Sequence, residues 1–195
     1  MSYSITTVRW AAASILVGGV LYALYGLLNP LLGPTLVGFL IGNLLGAALL
    51  TVGVTGLGVY LREQGVPLGG VGRVGLWPCI VALAVWTALG LASVLSLALV
   101  GPTQLVGRAS DISDFLLVVV FVGSALLGAA LFLRANVVPR GATLLLVIAS
   151  VLALVPTLAD YVLESIPIWV YGAAWAWVGY GLWVAREAAP RARVR

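Results

Sequence analysis

The chain has 195 residues, 63% of them hydrophobic and 8% charged, with a formal net charge of +4 and no histidine. An ordinary soluble domain is about 45–50% apolar and about 25% charged, so these few charges cannot cover a water-facing surface of this size. The lack of His removes His-ligated zinc and haem, Ser–His and Cys–His nucleophile pairs and imidazole relays, and the single Cys79 excludes an internal disulfide or a CxxC redox pair.

A membrane-spanning helix needs about 20 mostly apolar residues. The apolar runs at 10–28, 36–61, 76–100, 115–133, 142–163 and 166–185 qualify, and none carries a charge at its centre. They predict an all-α integral membrane bundle of six transmembrane helices in a single domain.

The first run, opening at Trp10, is read as a retained helix because no small-x-small cleavage site follows it. Its outer end carries Tyr22, Tyr25 and Asn29, expected to face a vestibule or the lipid headgroups. Asn29-Pro30 and Gly33-Pro34 close the loop that follows.

In the second run Gly38, Gly42 and Gly46 recur at spacings of four, giving a smooth face of the kind that lets neighbouring backbones approach. Asn43 is the most polar residue deep in a span. It reads either as an interhelical hydrogen bond or as an amide facing a ligand or ion.

Gly65, Pro67, Gly69 and Gly70 mark the next loop. The third run has Pro78 near its start, Cys79 as a small apolar residue, and a second small-residue face at Ala84, Ala88, Ala92 and Ser96. Asp111 and Asp114 precede the fourth run and are read as helix caps or as part of an acidic outer face.

The fifth run contains Pro156, expected to kink the helix, and leads to Asp160 and Glu164, four apart and so on one helix face. They stand at a helix C-terminus, where the macrodipole disfavours anions. With Asp111 and Asp114 they read as a solvated surface or as a vestibule for a cation or proton. The sixth run carries Gly172, Ala176 and Gly179 as a third smooth stripe, and Trp86, Trp175 and Trp177 are expected to pack inside.

Basic residues fix the orientation. With the N-terminus inside, every arginine except Arg108 falls on the cytoplasmic side, as positive-inside loops require, and both termini are cytoplasmic. Trp10, Tyr60, Trp77 and Trp183 then mark the inner interface, and Tyr161 and Trp169 the outer one. The arginines stand singly between apolar runs instead of gathering in a nucleic-acid patch. The tail "REAAPRARVR" suits an anionic membrane surface. The segments "LREQGVP" and "LRANVVP" share the pattern L-R-x-x-x-V-P and suggest two related hairpins.

At "GLGVYLREQG", "GRVGLW" and "WVYGAAWAWVGYGLW" the chain resembles small polytopic membrane proteins that recur in GC-rich bacteria without assigned function. The resemblance implies a multi-pass bundle in the cell (inner) membrane and assigns no functional residue.

Neither a Walker A motif nor a GxSxG with a His partner is present. The expectation is a bundle without a catalytic site, cofactor or metal, acting through helix contacts as an accessory or scaffold subunit. Its partners would be membrane lipid and other subunits or further copies of itself, and not nucleic acid. The alternative is a small carrier or channel for a cation or small solute, resting on Asn43, the outer acids and Pro156.

Overall fold

The computed structural model describes residues 3–32, 40, 44–99, 104–134, 138–159 and 165–188. Among them are six helices and no strand: α1 (Tyr3–Leu32), α2 (Gly46–Glu63), α3 (Gly69–Leu99), α4 (Gln104–Arg134), α5 (Arg140–Ala159) and α6 (Ser165–Ala188). Three are long and apolar enough to cross a membrane, through Val8–Leu28, Gly69–Ser96 and Phe115–Arg134, and α5 adds a shorter apolar stretch, Arg140–Val155. Trp, Tyr and Gly take many of the places in α6 that Leu and Val hold elsewhere, so its apolar character is weaker.

Each helix packs on the next in sequence, and α6 returns to pack on α1, closing a ring. The α6–α1 interface is the most extensive, although it joins the two helices farthest apart in the chain. Neighbours run antiparallel. Along α1, the backbones of Ala12 and Leu16 meet Gly179, Gly19 meets Gly172 and Ala176, and Gly26 meets Trp169. Likewise Gly18 lies against Gly46 and Leu50 of α2 while Gly56 reaches Ala11, and on α3 Gly72 faces Ala130 of α4 while Cys79 faces Gly123.

Small residues set these approaches, because their short side chains let neighbouring backbones come close. The smooth stripe of α6 lies in the α1 interface: a Cβ on Gly172 would stand 2.7 Å from the Gly19 carbonyl oxygen, and one on Gly179 would stand 2.8 Å from the Leu16 Cα. Gly46 lies against Gly18 and Tyr22, its Cβ position 3.5 Å from the Gly18 oxygen. Gly38 and Gly42 are outside the described residues. On α3, by contrast, Ala84, Ala88 and Ala92 are exposed, and among the described residues no helix covers them.

The outside of the bundle is apolar all round. Large apolar side chains are exposed on each helix, among them Trp10, Val17 and Leu24 on α1, Val52 and Val59 on α2, and Trp77, Val81 and Leu95 on α3. Phe115 and Val122 on α4, Ile148 and Val155 on α5, and Trp177 and Tyr180 on α6 complete the belt. Exposed apolar area of this extent marks a surface that faces lipid or other protein.

Several helix ends extend beyond the apolar runs. The fourth helix begins at Gln104 instead of 115, so Asp111 and Asp114 lie inside α4 and do not cap it. Apolar runs measure the hydrocarbon segment, whereas helices end where backbone chemistry ends them, and Pro102 is the last breaker upstream. Pro78 likewise sits well inside α3. The end of α2 shows its cause directly: Gly65 takes φ +65°, Val66 N–H donates to the Leu61 carbonyl at 3.0 Å and Gly65 N–H to the Arg62 carbonyl at 3.1 Å. This is a Schellman stop, in which a left-handed residue satisfies the last carbonyls. The sequence echo is not matched in packing, since Leu61 is fully buried and Leu133 is 76% exposed.

Candidate functional site

The centre of the ring is filled by aromatic side chains. Tyr22 of α1 lies edge-on to Trp86 of α3 with centroids 6.0 Å apart, and edge-on to Tyr171 of α6 at 5.9 Å. Tyr171 in turn meets Phe121 of α4 at 4.9 Å and Trp175, one turn further along α6, at 6.4 Å. All four contacts are steep, the preferred arrangement of aromatic quadrupoles. Four of the six helices contribute to this plug, and Trp175 and Tyr171 are among the largest fully buried side chains. Trp86 and Trp175 pack inside as their sequence positions suggest, whereas Trp177 faces outward.

Tyr22 corrects an expectation: it is a core residue and faces neither a vestibule nor headgroups. Gly18 and Gly46, next to it, let α1 and α2 approach closely and leave the ring directed inward.

A short polar chain crosses this plug. Ser124 of α4 is fully buried; its Oγ pairs with the Tyr171 hydroxyl at 2.8 Å and with Cys79 Sγ of α3 at 3.5 Å. Three helices are thereby pinned through one hydroxyl. In an apolar surrounding each of these groups has to find a protein partner, and they find one another. Trp175 is the exception. Its indole N–H has no hydrogen-bond partner, alone in this among the buried polar side-chain atoms of the described residues.

Several other helix hydroxyls are satisfied locally. Thr51, Thr87 and Ser150 each donate to the carbonyl four residues back, at 2.8, 2.8 and 2.6 Å, and Thr143 donates to that of Arg140 at 2.9 Å. Such back-bonding turns a hydroxyl onto its own helix.

Most of the polar residues singled out in the sequence fall where the structure describes no side chain. Asn43, Asp160 and Glu164 lie outside the described residues. Asp111 and Asp114 are placed only by backbone, three residues apart on α4. Among the described residues no group of His, Cys, Asp or Glu is arranged to hold a metal ion. The Cys79–Ser124–Tyr171 chain was invisible in the sequence. Its members are separated by 45 and 47 positions, and their meeting depends on the rotation of three helices.

Burial makes a prediction for Cys79, the one thiol, which is fully inaccessible. In detergent-solubilised native protein, N-ethylmaleimide should leave it unmodified over times that fully label it in SDS, read as the mass of the intact chain. Rapid native labelling would mean that α3 and α4 part readily at Ser124.

Comparison with known proteins adds no relative: no family profile fits the chain, and no curated protein or solved structure matches it.

Proposed function

We propose that the chain is a six-span integral protein of the cell membrane, with both termini cytoplasmic, that acts without catalysis as an accessory or scaffold subunit through its lipid-facing helix surfaces. The observation that carries this reading is the contrast between inside and outside. The interior is closed by the Tyr22–Trp86–Phe121–Tyr171–Trp175 plug, while apolar side chains cover the outside of every helix. A carrier needs a site reachable from water and a route past the centre. The filled centre supports contact with partners over passage of a solute.

The outward stripe Ala84, Ala88 and Ala92 is an exposed face of small residues, and small residues in that register favour helix association. The test uses Ala88→Cys in native membranes, with Cys79 too buried to interfere. Oxidative cross-linking should trap a disulfide-linked homodimer, and photo-cross-linking from the same position should trap any different partner. A protein that stays monomeric and uncross-linked in membranes, and that passes protons or metal cations in liposomes, would replace this reading with the carrier. Reporter fusions after Arg62 and Arg134 should both report the cytoplasm, and a split result would break the six-span topology.

A further inference from the structure

We infer that the arginine-bearing end of the bundle is a binding surface for anionic phospholipid headgroups, centred on Arg73 and Arg134 where α3 meets α4. The inference rests on the membrane-embedded reading above. In the antiparallel ring the start of α1, the end of α2, the start of α3, the end of α4 and the start of α5 share one end, and they carry Arg9, Arg62, Arg73, Arg134 and Arg140. All five are exposed, and Glu63 is the one carboxylate whose side chain is described at this end. The surface is therefore strongly and unevenly cationic.

What lies beside each guanidinium identifies the partner. Arg9 is followed by Trp10, 68% exposed; Arg73 by Val74 and Trp77, 60% and 62% exposed; and Arg134 is preceded by Leu133, 76% exposed. Val59 lies three residues before Arg62, and Leu144 four residues after Arg140, both exposed. Each cation stands at the rim of the apolar belt. A nucleic acid or an acidic soluble protein offers charge without the adjoining hydrocarbon. A phospholipid offers both, a phosphate at the level of the guanidinium and acyl chains along the apolar side chains below it. Guanidinium is also the side chain best fitted to phosphate, through paired N–H donors.

The α3–α4 corner concentrates the feature. The Arg134 guanidinium crosses from the end of α4 to lie against Gly69, where a side chain would collide with it. Arg73 is one turn along α3 from Gly69 and on the same flank. Two cations from two helices thus border one turn in which Gly69, Gly70 and Gly72 carry no side chain and Val71 alone projects, exposed.

The experiment is native mass spectrometry of the full-length protein in mild detergent, supplied with equimolar phosphatidylglycerol and phosphatidylcholine. Retained adducts should favour phosphatidylglycerol. Arg73→Gln and Arg134→Gln should each lower that preference roughly fivefold, the equivalent of one juxtamembrane charge, and Arg73→Lys with Arg134→Lys should keep most of it. Equal retention of both lipids, or a preference untouched by the double Gln variant, overturns the inference. An alkaline carbonate wash of native membranes separates the two readings. A protein that washes out defeats the membrane assignment itself. One that stays in the pellet without lipid preference defeats only this inference.

Discussion

Gly172→Leu should abolish the folded bundle, and Gly172→Ala alone should cost about 3 kcal/mol, the upper end of the usual price of overpacking. The magnitude follows from what the added carbon meets. A Cβ at 172 falls on backbone of α1, 2.7 Å from the Gly19 carbonyl oxygen and 2.8 Å from the Ala23 Cα. Backbone cannot rotate away as a side-chain tip can. The contact is reciprocal, since a Cβ on Gly19 would stand 2.7 Å from the Gly172 oxygen and 2.9 Å from the Ala176 Cα. Separating α1 from α6 to admit the carbon would loosen the contact that closes the ring, and no connecting loop holds those two helices together.

Two other glycines serve as controls that isolate the cause. A Cβ on Gly70 meets nothing within 4 Å, and its φ is ordinary, so Gly70→Ala should stabilise by about 0.4–1 kcal/mol through loss of unfolded-state freedom. Gly65 also has open space, but its φ is +65°, and Gly65→Ala should cost about 1–2 kcal/mol from the left-handed backbone alone. SDS-titrated unfolding followed by tryptophan fluorescence ranks the three. If Gly172→Ala proves as mild as Gly70→Ala, the α1–α6 approach is looser than drawn and the small-residue stripe of α6 is not what sets it.

The order of these effects also shows what a sequence can and cannot declare. Gly172, Ala176 and Gly179 are visible as a stripe because helical period alone puts them on one face. Their partner is less visible, although Gly19, Ala23 and Gly26 on α1 carry a similar spacing; nothing in a linear chain says that its first and last long helices are neighbours. Helix ends are hard to read from the chain for a related reason. Asp111 and Asp114 sit in a polar stretch that hydropathy assigns to a loop, yet no breaker follows Pro102, and the backbone stays helical there. The depth of Tyr22 is not legible from its place near the end of an apolar run. Its burial depends on Gly18 and on Gly46 of another helix. The overall helical character and the apolar exterior, by contrast, follow from composition, because so few charges leave no other surface to present. The polar chain through Ser124 needed the rotation of α3, α4 and α6 together, which no single periodicity carries.

Tyr171→Ala should be the most damaging truncation in the core, at about 3–5 kcal/mol, the usual range for removing a buried aromatic ring. Tyr171 touches Tyr22, Phe121 and Trp175 through its ring and Ser124 through its hydroxyl, so the loss opens a hole at the point where three helices meet. Tyr171→Phe keeps the ring and removes one hydrogen bond. It should cost only about 0.6–1.7 kcal/mol, as interhelical hydrogen bonds do in membranes. Ser124→Ala should fall in the same range, and because Ser124 Oγ pairs with both the Tyr171 hydroxyl and Cys79 Sγ, Ser124→Ala in a Tyr171→Phe background should cost less than it does alone. The difference between those two costs is the coupling energy of the pair. Zero coupling would make the Ser124–Tyr171 contact a by-product of packing. A Phe variant as unstable as the Ala variant would invert the argument and make hydrogen bonding, not ring volume, the feature that holds α4 to α6. The plug as described requires the opposite: volume carries most of the stability, and the polar chain fixes the rotation at which the helices meet.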